Sequence, residues 1–171
     1  RNAAYRWVEG LAALHENGPN TYTSGALDHA LTEVSEVDSV VFLSDGSPTV
    51  GTQNERTILL LVESKWNPGA TRRIDTYGFL EGQGLVDPAT RTLVNQAYEA
   101  ELKATPLVGS GGVERDQLLR NVATALKAQG VTSTRKTPLT AGEVGQVILG
   151  WFLEELAARN KGEFKDLNTI D

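Results

Sequence analysis

An α/β domain, with a mostly parallel sheet and helices on both faces, is the fold class that this sequence predicts, and three observations predict it. Segments with apolar residues at helical spacing alternate with short β-branched runs. Each short run leads straight into a cluster of turn residues. The helical segments between the runs are long enough to serve as crossovers, and such crossovers imply right-handed βαβ units.

The elements follow in chain order. Ala4, Trp7, Val8, Leu11 and Leu14 recur at helical spacing, and Asn17-Gly18-Pro19 stops that segment. Ser24 is placed to cap a second helix whose apolar face is Leu27, Ala30, Leu31 and Val34. Residues 39–43 read SVVFL, too short for a helix and rich in β-branched residues, so they predict a buried strand that delivers Asp45 to the turn SDGSPT. Glu55 to Trp66 is helical again, with Ile58, Leu61, Val62 and Trp66 on one side and Asn67-Pro68-Gly69 closing it. Residues 73–80, RIDTYGFL, set Ile74, Thr76, Gly78 and Leu80 against Asp75, Tyr77 and Phe79, the period of a strand.

From about residue 82 to 145 the rhythm changes. Glycines and prolines punctuate two helical patterns, Ala89 to Ala104 and Glu114 to Gln129, the second with Leu118, Leu119, Val122, Ala123 and Leu126 on one face. This stretch reads as a helical insertion within a single domain spanning 1–171. A last helix buries Ile148, Phe152, Leu153, Leu156 and Ala157, turns Glu154, Glu155 and Arg159 outward, and ends at Asn160-Lys161-Gly162. Residues 163–167 supply one more edge strand.

Composition narrows the function classes. A formal charge of -6 and the absence of a basic stripe speak against nucleic acid as a partner. No apolar run reaches the roughly eighteen residues that a membrane-spanning helix needs. Without cysteine there is no thiolate metal site and no thiol nucleophile. No Gly-x-Ser-x-Gly elbow appears, and the glycine runs at 82–84 and 109–112 lack the Gly-Lys-Ser/Thr ending of a phosphate loop. His15 and His29 stand on separate segments with no second ligand at metal spacing. An enzyme is therefore not expected, and no residue is assigned a catalytic role.

The run VDSVVFLSDGSPTVG, followed about thirty residues later by RRIDTYGFLEG, resembles two successive strands of a von Willebrand factor A (vWA) domain, in which a strand ends in an FLSDG-x-P-T loop. NGPNTYTSGALDHAL is similar to the threonine loop and helix that precede that strand in the family, and FLEELAARNKGEFK to its last helix and edge strand. The resemblance covers residues 1–81 and 146–167, and the insertion at about 82–145 has no counterpart in the common family pattern. It implies a Rossmann-like doubly wound sheet and a protein-binding module of adhesion type. It further implies a metal-ion-dependent adhesion site (MIDAS) in which an Asp-x-Ser-x-Ser loop, a threonine and an aspartate hold magnesium or calcium, which in turn takes an acidic group from a partner. Counted back from Ala26-Leu27, Thr21 occupies the family's threonine position, and Asp45 its aspartate position. The Asp-x-Ser-x-Ser motif is absent from this chain.

The residues also admit plainer readings. Asp45 in a Ser-Asp-Gly turn can be an ordinary Asx turn, and Thr21 can simply shape its loop, with Thr23 as the alternative aligned residue. Ser44 and Ser47 flank Asp45 and are placed to support it. A structural or assembly subunit with a degenerate, metal-free site is thus the alternative function. The chain opens at Arg1 inside a helical pattern and shows only three strands, where a doubly wound sheet usually has about five or six. The expectation is an incomplete domain: Val40, Phe42 and Ile74 lack partners until an upstream segment or another subunit completes the sheet.

Overall fold

The computed structural model describes residues 21–34, 37–80, 84–105 and 112–169. The first sequence-predicted helix, with Trp7 and Leu11, lies outside them, as does His15. Among the described residues, α1 (Thr23–Thr32) leads to β1 (Ser39–Ser44), and α2 (Glu55–Leu61) leads to β2 (Arg73–Gly78). Then come α3 (Pro88–Ala104), α4 (Gly112–Ala128), α5 (Ala141–Arg159) and β3 (Phe164–Asp166). The three strands form one parallel sheet in the order β1-β2-β3, with Val40 opposite Ile74, Phe42 opposite Thr76, and Thr76 opposite Phe164. The chain is α/β, as its alternating pattern requires.

Local chemistry explains the boundaries. Asn54 caps α2 by accepting a hydrogen bond from the Thr57 N–H at 3.2 Å. Beyond Leu61 the helix widens into a π-type turn, Val62–Trp66, and the Asn67 N–H closes on the Val62 carbonyl at 2.7 Å. Asp87 caps α3 in the same way, and Thr140 and Glu143 form a reciprocal capping box on α5. That box starts α5 inside the expected insertion: Gly142 is its second residue, not a breaker. The second helix is shorter than expected, ending at Thr32, so Val34 leaves the apolar face and is exposed. The Thr32 hydroxyl turns back on the Asp28 carbonyl at 2.7 Å, a bond that competes with helix propagation.

Two apolar clusters share α5. In the first, Ile74 and Leu80 from β2 and its exit pack with Leu27 and Leu31 of α1, Ile58 and Leu59 of α2, and Leu149, Phe152, Leu153 and Leu156 of α5. In the second, Val94 and Tyr98 of α3, Leu118, Val122 and Leu126 of α4, and Val144 and Ile148 of α5 come together. Within the 82–145 stretch the described residues form α3, α4 and the start of α5, and α5 is common to both clusters. The Thr76 hydroxyl donates to the Leu153 carbonyl at 2.8 Å, which fixes α5 on the sheet.

The described sheet bears on two expectations. Ile74 is buried in the first cluster, and Val40 and Phe42, half-buried, pack against it. Val41 and Leu43, on the opposite face, are 58% exposed. Among the described residues the helices that pack on the sheet all join the cluster on one face, so helices on both faces are not seen and β1 is buried on one side only. The reason is alternation: a strand's neighbours point to opposite faces, and α1, α2 and α5 meet only one of them.

A buried polar node joins α2 to α3 and α4. Glu55, at the first turn of α2, is 0% exposed and pairs with Arg115 of α4, which is 5% exposed. The Tyr98 hydroxyl of α3 donates to Glu55 Oε2 at 2.5 Å. Burial works against the Arg115 charge, yet Glu55, helped by Tyr98 and Asp116, more than offsets it, and the Arg115 pKa stands above the ordinary value. Burial first, then the Glu55 carboxylate, push the Tyr98 hydroxyl far above the usual phenol range.

Candidate functional site

The site grows from the end of β1. Ser44 is the last residue of the strand, and its hydroxyl donates to the Gly46 carbonyl at 2.8 Å, turning the chain at Asp45. Asp45 itself is exposed. The loop then folds back on itself, because the buried Gln53 side chain donates to the Thr49 carbonyl at 2.8 Å. Gly51 takes φ +69, the left-handed conformation that glycine accepts without strain.

The threonine loop is clasped to this turn. The Thr21 N–H donates to Thr49 Oγ1 at 2.7 Å, while the Thr21 carbonyl accepts from the N–H of Thr49 at 3.0 Å and of Val50 at 3.4 Å. One helical turn on, Ser24 Oγ accepts from the Thr52 N–H at 3.2 Å. The result places the Thr21 hydroxyl 3.6 Å from where a Cβ on Gly46 would stand, directly beside the residue that follows Asp45. Thr21 and the Asp45 turn thus meet at the C-terminal edge of the sheet, where strand-end loops of a parallel sheet converge. Thr23, the alternative, is buried in the first turn of α1, and its hydroxyl finds no partner among the described residues.

Chemically the pair offers one exposed carboxylate and one half-buried neutral hydroxyl, both hard oxygen donors of the kind that magnesium and calcium prefer. Among the described residues no three histidine, cysteine, aspartate or glutamate side chains converge as a metal-binding group. Thr21 and Asp45 would supply at most two of the about six oxygens that such an ion takes, and waters or other groups would have to supply the rest. Magnesium commonly binds in this sparse manner, keeping several waters. His29 takes no part: it is exposed on α1 and pairs with Glu33 at 2.7 Å.

Two residues here carry roles that the sequence did not announce. Thr49 sits inside the SDGSPT motif, yet its pairing with Thr21 spans 28 positions and has no local signature. Tyr22, next to Thr21, is 58% exposed, and its ring lies against two glycines. A Cβ on Gly25 would fall into one edge of that ring and a Cβ on Gly51 into the other. The glycines in TSGAL and PTVGT were visible signals of close approach, but not of what approaches.

Comparison with known proteins adds no further constraint: no family model, no curated protein and no solved structure matches the chain.

Proposed function

We propose that this domain is a protein-binding module of vWA type, in which a divalent magnesium or calcium ion held in part by Thr21 and Asp45 engages an acidic group on a partner protein. The observation that carries this reading is the clasp: Thr49 pins the backbone of Thr21 on both sides and sets its hydroxyl against the Asp45 turn. Three hydrogen bonds tie Thr21 to Thr49 and Val50, a clasp that an Asx turn at Asp45 does not need. The resemblance of NGPNTYTSGAL and FLSDGSPT to the family's two loops supports the same residues in the same roles. When bound, the ion supplies a positive centre with an exchangeable position for a carboxylate. Asp45 contributes charge, and Thr21 a neutral donor that leaves the ion electrophilic toward the partner.

Thermal melting in the presence of magnesium or calcium tests this. An ion that binds only the folded chain raises its stability by about 2.7 kcal/mol at one hundred times its dissociation constant. The expected result is such a rise in the wild type and none in Asp45→Asn. An equal rise in both would place the ion elsewhere.

A second reading rests on a separate observation. The outer face of β1 has Val41 and Leu43 exposed, and SVVFLS carries no charge and no proline to discourage pairing along the edge that no described strand pairs. This favours a structural or assembly subunit in which a further segment or another chain covers the face, with the loop site metal-free.

A further inference from the structure

Two exposed aromatic residues, Tyr22 and Phe79, adjoin backbone that is hydrogen-bonded to the loop around Asp45. Tyr22 stands on the side of the threonine loop. Phe79, 46% exposed, directly follows β2, and its N–H donates to the Ser44 carbonyl, one residue before Asp45, at 3.1 Å. Tyr22 is exposed but not loose: its two ring edges rest over Gly25 and Gly51, positions where any larger residue would displace it. A ring already fixed by its surroundings loses little conformational entropy when a partner covers it, which is why rigid tyrosines make effective contact residues. Aromatic residues beside a central polar contact are also where binding energy concentrates in protein interfaces.

We infer that Tyr22 and Phe79 give this site its specificity, and that it takes an acidic residue embedded in an apolar peptide segment, with the neighbours of that residue packing on the two rings. The inference rests on the reading of Thr21 and Asp45 as an acid-binding site, and it names the partner chemistry that the reading leaves open. An acidic residue flanked by serine or glycine offers these rings nothing to bury. One flanked by leucine covers them and excludes water around the carboxylate, which strengthens the polar contact at the centre.

The test is a calorimetric or NMR titration of the full chain, in magnesium, with capped tripeptides Leu-Asp-Leu, Ser-Asp-Ser and Gly-Asp-Gly. The expected result is a preference for Leu-Asp-Leu of about 5- to 30-fold, equivalent to one good interface contact. That preference should collapse toward unity in Tyr22→Ala and in Phe79→Ala and persist in Tyr22→Phe, which keeps the ring. The ratio between peptides is the readout, so a general loss of affinity does not imitate the effect, and melting curves confirm that each variant is folded. Magnesium-dependent binding that Asp45→Asn abolishes, but with no leucine preference or one indifferent to Tyr22→Ala, would overturn this inference and leave the acid-binding reading standing. Absence of magnesium-dependent binding by any of the peptides would overturn both.

Discussion

Replacing Arg115 by methionine removes the positive half of the buried node and leaves the Glu55 carboxylate in a site that is 0% exposed, with the Tyr98 hydroxyl as its remaining partner in that node. Breaking a buried pair from one side typically costs about 3–5 kcal/mol, because the surviving charge is desolvated without compensation. Against a total stability of about 5–15 kcal/mol for a natural domain, that is a large share. For a chain of this length each kcal/mol moves Tm by about 2–4 °C, so the melting midpoint should fall by roughly 6–20 °C. The double variant Glu55→Leu with Arg115→Met removes both charges and fills similar volume, and should recover most of the loss. Urea denaturation of the wild type, both single variants and the double variant measures the coupling directly. If Arg115→Met costs under about 1 kcal/mol, the Glu55 site is open to water and the account of the junction is wrong.

Other expected outcomes follow from single contacts. Thr49→Val keeps the shape of the side chain but deletes the acceptor for the Thr21 N–H; it should cost about 1 kcal/mol and raise hydrogen exchange at Thr21 without affecting amides in α4. Gly162→Ala would drive a Cβ into the Ile74 carbonyl, so a loss of about 3 kcal/mol in chemical denaturation is expected, unlike Gly142→Ala, where nothing stands in the way. Asp75 has its pKa lowered by Arg73 first and by the Glu163 N–H second. Its contribution is therefore present above the ordinary value of 3.8 and is lost as pH falls through the lowered one, and Asp75→Asn should flatten that part of an acid-unfolding curve.

Much of this fold was legible because its signals are local. Alternation in RIDTYGFL assigns Ile74, Thr76 and Gly78 to the buried face of β2, and helical spacing assigns Phe152, Leu153 and Leu156 to the core. The capping box at Thr140 and Glu143 was equally readable as Thr-x-x-Glu, but Gly142 inside it resembled a breaker. What the sequence withheld depends on distant pairs. Nothing near Glu55 marks it as the partner of Arg115, 60 positions away, since a glutamate at the start of a helix is normally a solvated first-turn acid. The run SVVFL could not say which face would be covered, because all but its first residue are apolar. At the candidate site, Thr21 and Asp45 were readable from motif order, whereas the clasp through Thr49 and the glycine cradle of Tyr22 exist only once the two loops have met.

Whether Thr21 and Asp45 together hold a divalent cation is read from NMR of the isotope-labelled chain titrated with manganese. Paramagnetic broadening falls off steeply with distance from the bound ion, so it reports position and not merely affinity. The expected result is early loss of the amide signals of Thr21, Asp45, Gly46 and Ser47, reversed by excess magnesium and absent in Asp45→Asn. Broadening that begins at other acidic positions, such as Glu99 and Glu101 on α3, with the Asp45 turn unaffected, would contradict it.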